Sequence, residues 1–486
     1  MRVAIVHDFL MQMGGAEKVV EVLHEMYPDA PIYTSAYDAG AMPDYYRTWD
    51  IRTSFIQRLV LKKYSHRMVL MLYPSAFESF DLSGYDLVIS SSSAFAKGVI
   101  TQPHTTHICY THAPMRYAWA TRSYMEKERV SSLSRTLLAP GLHYLRTWDA
   151  IAATRVDRYV ANSSAIAKRI RKFYRREAEV VHPPVDTSRF QILPPQKDEE
   201  EYALVASRLV PYKRVDLAVL ACTRLGKRLK VAGDGRQIKA LKAVAGPTIE
   251  FLGYVPDSDM PALVAGAKMF LMPGEEDFGI APVEANACGV PVVAFAAGGA
   301  LDVQVEGKTG CLFREPSVDS LCEAIERAWS HDWDPEVIRQ NAMRFDTPTF
   351  CDKMKLIVAT TEQGERRQAF PDRRKKTRVE TFEGDRRRIV MKNGRPVWFD
   401  QRRHILGKDG VTVVGEQIDT DASQEKLSPV QFPPGANSYD VTSDRVIQTV
   451  SAAKKEANAP KVTPEPPSQA APEAKLDHQK NGTDGG

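Results

Sequence analysis

Apolar residues in the first part of the chain come in short continuous runs, each followed by a polar or glycine-rich loop and then by a segment of helical period. The first run, RVAIVH, is followed by the loop DFLMQMGG and by AEKVVEVLHEMY, whose apolar residues recur every three or four positions. This order predicts a buried strand, a glycine turn and an amphipathic helix. Further runs of strand length lie at residues 85–90, 107–112 and 158–164. Short buried strands that alternate with helices predict an α/β domain with a parallel sheet covered on both faces.

The same alternation starts again after a polar, proline-rich stretch at residues 191–201. Five more strand-and-loop units follow, at YALVASRL, KRLKVAGDG, TIEFLGYV, AKMFLMPG and VPVVAFAAGG. We therefore expect two domains with doubly wound parallel sheets, residues 1–190 and 202–345, joined by a linker and facing a common cleft. A helical segment at residues 346–363 is expected to pack back toward the first domain.

The chain changes character from residue 364. Residues 364–422 are charged and mainly basic, and Asn393-Gly394 separates two short β-favouring runs, which predicts a small hairpin. Pro396 is expected to confine its strand to a sheet edge. From residue 423 the chain is rich in Pro, Ala, Ser, Glu and Lys with few large apolar residues, so residues 423–486 are expected to be disordered.

Composition and charge narrow the class of protein. A net charge of +4 over 486 residues argues against a dedicated nucleic-acid binder, which needs many cationic contacts to phosphates. The six cysteines show no CxxC pair or metal-ligand spacing and are typical of small buried residues in a reducing compartment. The apolar runs are too short for a signal peptide or a membrane span, so a cytoplasmic protein is expected.

Glycines directly after predicted strands are the first candidate ligand-binding feature. Gly14 and Gly15 follow the first strand, and Gly233-Asp234-Gly235 follows KRLKVA. Without a Cβ the backbone can approach a phosphate closely, and the following helix offers free N–H groups. Neither loop is a G-x-G-x-x-G fingerprint, so an ordinary structural turn is an equal alternative.

Cations in SRLVPYKR are the second feature. Arg208 and Lys213 lie in the loop that leaves the first strand of the second domain. This is the edge of an α/β sheet where ligands bind, and a forked guanidinium with an ammonium suits a diphosphate. The alternative is a solvated loop.

Polar residues follow the strand in ICYTHAPMRYAWA as well. His112 and Arg116 lie there among aromatic residues and could contact a sugar; the alternative for His112 is a partly buried histidine whose hydrogen bonds are satisfied within the protein. His7 and Asp8, at the end of the first strand, are weaker candidates for the same role.

Two glutamates in EEDFGIAPVEANACG complete the set. Glu276 is placed in a loop and Glu284 in the first turn of the next helix, where the helix dipole should keep it ionised and able to accept hydrogen bonds from ribose hydroxyls. Glu276 could hold sugar hydroxyls. The alternatives are that Glu284 only stabilises a helix terminus, or that the pair are the acid and nucleophile of a hydrolase.

No metal site is predicted. Asp257-Ser258-Asp259 matches a D-x-D pattern, but it lies between a strand and a helix, so Asp257 or Ser258 is better interpreted as a helix N-cap. A second D-x-D, Asp419-Thr420-Asp421, lies near the predicted tail.

Taken together, SRLVPYKR, VAGDG and EEDFGIAPVEANACGVPVVAFAAGG resemble the nucleotide-sugar half of a retaining glycosyltransferase of family 4, which has the GT-B fold of two Rossmann-like domains. Glu276 and Glu284 meet the E-x7-E pattern of that family. HDFLMQMGGAEKV and CYTHAPMRYAW more narrowly resemble the WbaZ-like mannosyltransferases of bacterial O-antigen and exopolysaccharide assembly. The resemblance covers residues 1–360 and leaves the tail without a counterpart.

The resemblance implies a donor site built from both domains. In it the diphosphate contacts Gly14, Gly15, Arg208 and Lys213, the ribose contacts Glu284, and the donor sugar contacts His112, Arg116, Glu276 and the backbone of Phe278, Gly279, Ile280 and Ala281. His112 and Glu276 are the residues expected at the reacting sugar. Asp277 stands where the family usually has glycine, and it either alters donor choice or points to solvent.

The activity that the resemblance implies is transfer of mannose from GDP-mannose, with retention at the anomeric carbon and without a metal or other cofactor. The implied acceptor is a lipid-linked glycan or an oligosaccharide. A UDP-sugar donor, a nucleotide-sugar epimerase and a degenerate nucleotide-sugar-binding subunit are the alternatives.

Basic and apolar residues are mixed at residues 54–77 and 134–148, as they are on a face that rests on an anionic leaflet. Core helices with a basic outer face explain the same pattern. The basic run at residues 373–378 adds to membrane attraction or is a solvated linker. Peripheral contact with the inner membrane is therefore one expectation.

Overall fold

The computed structural model describes residues 1–61, 69–119, 132–193 and 201–369, together with short strands between residues 379 and 406. Met1–Pro371 forms one compact unit and Asp372–Gly486 forms another.

The first domain is built on a parallel sheet whose strands are short and almost fully buried. They are β1 (Val3–His7), β2 (Ile32–Thr34), β3 (Ile51–Thr53), β4 (Leu87–Ser92), β5 (Thr106–Thr111), β6 (Arg158–Ala161) and β7 (Ala178–Val180). Their order across the sheet is β3-β2-β1-β4-β5-β6-β7. All six neighbouring pairs are parallel.

Helices cover both faces of this sheet. They are α1 (Gly15–Met26), α2 (Ile56–Leu61), α3 (Tyr73–Glu78), α4 (Arg116–Trp119), α5 (Ser132–Ala152) and α6 (Ser164–Tyr174). The α6 helix shows why these segments are helical: Ser163 caps it by accepting the N–H of Ile166, and Ile166, Ile170 and Tyr174 recur every four residues on its buried face.

The second domain repeats the arrangement. Its strands are β8 (Ala203–Ala206), β9 (Leu229–Ala232), β10 (Ile249–Gly253), β11 (Met269–Met272), β12 (Val292–Phe295) and β13 (Gly310–Phe313). Its helices are α7 (Val215–Leu225), α8 (Ile238–Val244), α9 (Met260–Ala265), α10 (Ile280–Ala287), α11 (Ala300–Val303), α12 (Val318–Ser330) and α13 (Pro335–Ala342). The strand order β10-β9-β8-β11-β12-β13, all parallel, is the doubly wound order of a Rossmann fold.

The chain crosses between the domains twice. After β7, Val185 and Phe190 pack in the core of the second domain. The last long helix, α14 (Thr347–Ala369), returns to the first domain, where Phe350, Met354 and Ile357 lie in the core beneath β1 and β5. The helix runs six residues beyond the expected end at residue 363.

The predicted fold class, two doubly wound parallel-sheet domains, is confirmed. The sequence pattern did not predict four strands, of which three lie at sheet edges: β2, β3, β7 and β13. The strands β2, β3 and β7 have only three residues each, and β13 offers only the short apolar run Cys311-Leu312-Phe313, whereas the predicted four-residue strands β8, β11 and β12 lie within longer apolar runs. The N-cap position of α9 is Asp259, whose side chain makes no capping hydrogen bond, so the assignment of Asp257 or Ser258 as the cap was wrong.

The second unit contains an antiparallel sheet of β14 (Val379–Glu380), β15 (Arg387–Lys392), β16 (Arg395–Asp400) and β17 (His404–Leu406). Lys392 lies opposite Arg395, the register of a two-residue turn, although residues 393 and 394 lie outside the described part of the chain. The expectation that Pro396 marks an edge strand was wrong, because β16 pairs with both β15 and β17. However, β17 pairs only with residues 398–400, so Pro396 is not required to donate to it.

Several sequence predictions fall outside the described residues. They are the basic residues at 62–68, the basic run at 373–378, the D-x-D at 419–421 and the tail at 423–486. Among the helices that are described, none is long and apolar enough to cross a membrane.

Candidate active site

A cavity of 340 Å³ lies between the two domains, at the carboxyl ends of β8 and β11. These two strands are neighbours, and the strand order reverses between them, so their loops part and leave a crevice. The cavity is lined from the first domain by Gly15, His112, Arg116 and Asn162. It is lined from the second domain by Arg208, Tyr212, Lys213, Glu276, Asp277, Phe278, Gly279, Ile280 and Ala281, among others. Of the residues predicted for the site, Gly14 and Glu284 do not line it.

Lys213 and Glu276 form an ion pair at the centre of the second-domain wall. Lys213 ends a 3₁₀ turn after β8 and Glu276 lies in the loop after β11, and their Nζ and Oε1 atoms are 2.6 Å apart. Within the described part of the chain, no donor, Lys213 included, makes a hydrogen bond of good geometry to this buried Oε1 atom. A cation and a carboxylate are thus held side by side, each with hydrogen-bonding capacity left for a ligand.

The glycines of the β9 loop hold the neighbouring loop that carries Arg208. Gly233 has φ +120°, and a Cβ there would lie 2.0 Å from the carbonyl oxygen of Ser207. Leu209 donates its N–H to the carbonyl of Asp234 at 2.8 Å. The geometry of Gly233 therefore favours the interpretation of this loop as a structural turn. Arg208 is exposed at the rim of the cavity, and its Nη2 atom lies 3.4 Å from Tyr212 Oη.

Glu284 lies deeper in its helix than the sequence suggested. It is the fifth residue of α10, beyond the first turn, so the prediction of a first-turn glutamate kept ionised by the helix dipole was wrong. Burial raises the pKa of its carboxyl, and the charge of Lys18 opposes that rise. Lys18 Nζ of α1 is 3.4 Å from Glu284 Oε1, which joins the two domains behind the cavity.

The glycine loop of the first domain touches the second domain. Gly14 is the N-cap of α1, and a Cβ on Gly15 would lie 2.8 Å from Cδ1 of Ile280, the first residue of α10. A side chain at position 15 would require the side chain of Ile280 to move. The first N–H groups of α10, which have no acceptor within the helix, lie at this contact.

His112 lies at the end of β5, nearly buried, with its Nε2 atom 2.8 Å from Ser91 Oγ. Burial, with a smaller contribution from the charge of His7, lowers the pKa of His112 to about 3, so the ring is neutral at physiological pH. Asn162 donates its amide N–H to the His112 carbonyl at 3.1 Å and fixes the backbone there. Two observations favour a ligand contact over a fully satisfied histidine: His112 lines the cavity, and its Nδ1 atom has no hydrogen-bond partner among the described residues.

The weaker candidate Asp8 has a structural role. Its carboxylate accepts backbone N–H groups of Ala94 at 3.0 Å, Phe95 at 2.6 Å and Ala96 at 2.9 Å. These bonds shape the loop after β4, so its acceptor capacity is already used.

Asp277 lines the cavity, and its side chain is mostly buried and forms ion pairs with two arginines. It pairs with Arg116 of α4 and, at 2.7 Å, with Arg169 of α6. Arg169 also pairs with Glu275 at 2.6 Å. The residue that departs from the family pattern therefore ties the second domain to the first.

Phe278 is one of the residues that line the cavity, and it is almost fully buried. The ring is buried and packs at 5.3 Å from the ring of His182 and 5.6 Å from that of Phe345.

Four residues near the cavity were missed from the sequence: Lys18, Asn162, Arg169 and Tyr212. Lys18 had a signal, since it lies in the first turn after a glycine loop, and Asn162 directly follows a buried strand. Arg169 had no such sequence signal, because its position on α6 is typical of a solvated surface arginine.

Within the described ranges, no group of three or more His, Cys, Asp or Glu side chains is placed to hold a metal ion.

Two family models match the chain in adjoining parts. Residues 13–189 match the model described as Glycosyltransferase Family 4, and residues 187–345 match the model described as Glycosyl transferases group 1. Together the two matches cover residues 13–345, which hold every strand of the two parallel sheets except β1. The chain has the GT-B fold, and each of its two domains is similar to a glycosyltransferase family model.

The chain is similar to the GDP-mannose-dependent alpha-(1-6)-phosphatidylinositol monomannoside mannosyltransferase of Mycolicibacterium smegmatis. The two are 32% identical over 206 residues, which is 36% of this chain and 52% of the relative. The chain spans about half the length of the curated relatives it matches.

Solved GT-B structures share the fold. Sucrose-phosphate synthase of Thermosynechococcus elongatus superposes with a TM-score of 0.59 at 17% identity, covering 75% of this chain and 100% of that one. HepE of Anabaena in complex with UDP-glucose superposes with a TM-score of 0.55 at 20% identity, covering 74% of this chain and 100% of that one.

Proposed function

We propose that this chain transfers a sugar from a nucleotide-sugar donor to an acceptor hydroxyl, with GDP-mannose as the donor. The observation that carries the proposal is the pairing of Lys213 with Glu276 at the strand reversal, across the cleft from Gly15 and His112. A diphosphate needs cations and close backbone approach, whereas a sugar needs carboxylate and imidazole partners for its hydroxyls. One cavity of 340 Å³, a size typical of ligand sites, offers both.

In the proposed reaction the bond between the anomeric carbon and the diphosphate breaks as the acceptor oxygen attacks from the same face, and the acceptor hydroxyl passes its proton to the departing diphosphate oxygen. Lys213, Arg208 and the N–H groups at the start of α10 stabilise the negative charge on the leaving diphosphate, a role that other enzymes give to a metal ion. Neutral His112 adds no positive charge next to the sugar, on which positive charge develops. Glu276 is held by Lys213, so we assign it to the sugar hydroxyls and not to covalent attack.

The choice of mannose rests on two likenesses. The relative from Mycolicibacterium smegmatis uses GDP-mannose, and the sequence of the first domain resembles WbaZ-like mannosyltransferases. HepE, which shares the fold, binds UDP-glucose, and this makes a UDP-sugar the competing donor.

For the acceptor we propose a lipid-linked glycan of the kind assembled into O-antigen or exopolysaccharide. The mycobacterial relative acts on a glycolipid, phosphatidylinositol monomannoside. Helix α5 exposes Leu138, Tyr144 and Ile151 at 45%, 46% and 55%, which would suit contact with the lipid or the membrane surface that holds it.

A panel of nucleotide sugars tests the donor. The purified chain is mixed with GDP-mannose, GDP-fucose, UDP-glucose and UDP-galactose, and thermal stability and slow donor hydrolysis are measured. We expect the largest rise in melting temperature and the fastest hydrolysis with GDP-mannose, since a ligand that binds the folded state stabilises it. Preference for a UDP-sugar would remove the mannosyltransferase assignment and leave the glycosyltransferase proposal in place.

Substitution of Glu276 separates transfer from the alternatives. Glu276→Gln should lower transfer about tenfold to hundredfold, the loss expected for one hydrogen bond from a charged group, while GDP affinity changes little. The matched control is Glu315→Gln, an exposed carboxylate of the second domain that does not line the cavity. Epimerised nucleotide sugar formed without acceptor would indicate an epimerase, and donor binding without turnover in the unmodified chain would indicate a binding subunit.

A further inference from the structure

Three polar side chains that the proposed reaction does not use lie in a buried row behind His112. They are Glu17 of α1, His7 of β1 and Ser91 of β4, with exposures of 6%, 2% and 0%. His7 Nε2 is 3.6 Å from the Glu17 carboxylate, His7 Nδ1 is 3.1 Å from Ser91 Oγ, and Ser91 Oγ is 2.8 Å from His112 Nε2. Buried polar groups in a row usually have a defined hydrogen-bond direction, because each must be satisfied.

The contacts of His7 determine the direction of the hydrogen bonds in this row. Its Nδ1 atom is also 3.1 Å from the carbonyl oxygen of Ser91, which can only accept, so Nδ1 carries a hydrogen. Burial disfavours a second proton on the ring, but the hydrogen bond and charge of Glu17, with the charge of Asp8, outweigh it and raise the pKa of His7. His7 is therefore a donor on the side that faces Ser91.

Ser91 must then donate to His112. Its hydroxyl has one hydrogen, and within the described part of the chain its oxygen contacts only the two histidines. His7 already donates to this region, so if His112 also donated to Ser91, the hydroxyl hydrogen would be left buried without an acceptor. Such a group is costly in a position with no access to water, and the arrangement that avoids it has Ser91 donating to His112 Nε2.

We propose that Ser91 and His7 are positioning residues that hold His112 as the tautomer with its hydrogen on Nδ1. The ring then presents a hydrogen-bond donor to an oxygen of the sugar or phosphate in the cavity. Because His112 is neutral, an acceptor contact at Nε2 leaves Nδ1 as the protonated nitrogen. The role toward the ligand rests on the proposed function, whereas the tautomer is a property of the protein alone.

The same two strands supply a matched control. Ser90 Oγ is 2.8 Å from His107 Nε2, and burial lowers the pKa of His107 to about 3, as it does for His112. Ser90 and Ser91 are successive residues of one strand and point to opposite faces of the sheet. The Ser90–His107 pair does not line the cavity.

The test is the protonation pattern of the imidazole nitrogens, measured by NMR on full-length protein labelled with ¹⁵N-histidine. His112→Gln identifies the His112 signals. We expect hydrogen on Nδ1 and none on Nε2 in the unmodified protein, a mixture of tautomers in Ser91→Ala, and the unmodified pattern at His112 in Ser90→Ala. Hydrogen on Nε2 in the unmodified protein, or an unchanged pattern in Ser91→Ala, would overturn the proposal.

Kinetics provide the second measurement. Ser91→Ala should lower kcat for transfer by about tenfold to hundredfold, the loss that misorientation of a reacting group produces, with donor KM within about threefold of its original value. Ser90→Ala should leave both unchanged. Equal effects of the two variants would show that Ser91 acts only on folding. If no nucleotide sugar is turned over at all, the proposed function fails, and the NMR result still decides the tautomer.

Discussion

At the scale of single residues, Glu284 shows a conflict between stability and binding. It keeps a carboxylate in a largely buried position, and its ionic partner Lys18 lies at 3.4 Å and is partly exposed. Burial raises its pKa above the ordinary 4.5. A carboxyl group with a raised pKa holds its proton more tightly in the folded than in the unfolded protein, so its contribution to folding becomes less favourable as pH rises above about 4.5.

We therefore predict that Glu284→Gln is more stable than the unmodified protein at pH 7.5 and that this difference shrinks as the pH falls toward 4. The family resemblance assigns the donor ribose to Glu284, so affinity for the nucleoside diphosphate should fall about tenfold, because the amide is a weaker acceptor of hydrogen bonds. Urea denaturation at several pH values and calorimetric titration with GDP measure the two effects. A less stable variant at pH 7.5, or one that binds GDP as before, would contradict this account. Glu315→Gln is the exposed control.

At the scale of elements, a buried ion pair holds α5 against the first sheet. Lys97, in the loop after β4, pairs with Asp149 of α5, and their side chains are 2% and 0% exposed. Lys97 Nζ also donates to the carbonyl of Ala94 at 2.6 Å, and Trp119 Nε1 donates to Asp149 Oδ2 at 2.6 Å. The sequence SAFAKGV gives no sign of this, since the partner lies 52 residues away and an isolated lysine is usually solvated.

Lys97→Met should lower the free energy of unfolding by about 3–5 kcal/mol, since Asp149 is left charged and buried without its partner. The double variant Lys97→Met/Asp149→Leu should recover much of that loss, because no buried charge remains. Denaturant unfolding of the two variants, with exposed Lys308→Met as control, measures the difference. A double variant as unstable as the sum of its single substitutions would show that the two side chains are not coupled.

At the scale of the whole two-domain unit, polar contacts join the walls of the cleft. Asp277 of the second domain pairs with Arg116 and Arg169, and Asp302 of α11 accepts the backbone N–H of Ser164 at 2.6 Å. Together with the pair of Lys18 and Glu284, these contacts hold the two domains against each other around the cavity. Closure of such a cleft limits water access to a reactive donor.

Asp277→Asn should raise the donor KM a few-fold, because partly exposed ion pairs each contribute about 0–1 kcal/mol. Salt screens such pairs, so the KM of the unmodified chain should rise with salt more steeply than that of the variant. Initial rates at several salt concentrations measure this. The control is Asp319→Asn, which removes the pair between Arg224 of α7 and Asp319 of α12 within the second domain. An equal salt dependence in all three proteins would exclude a role for Asp277 in closure.

The sequence by itself determined the architecture and the neighbourhood of the site. Alternation of buried strands with amphipathic helices is a local pattern, and it requires parallel sheets whose loops meet at the carboxyl edge. Candidates drawn from those loops, such as Lys213, Glu276 and His112, consequently fell into one cavity. The strands β2, β3, β7 and β13 were not predicted, because their apolar runs are no longer than three residues.

Only the tertiary structure decided which side chains meet and in what state. Lys18 with Glu284, Asp277 with Arg116, and Ser91 with His112 come from separate elements, the first two from different domains. The strength of each contact and the pKa of each group depend on burial and distance, which exist only after the chain has folded. For that reason Glu284 could be placed near the site from its motif, while its raised pKa and its lysine partner could not be known from the sequence.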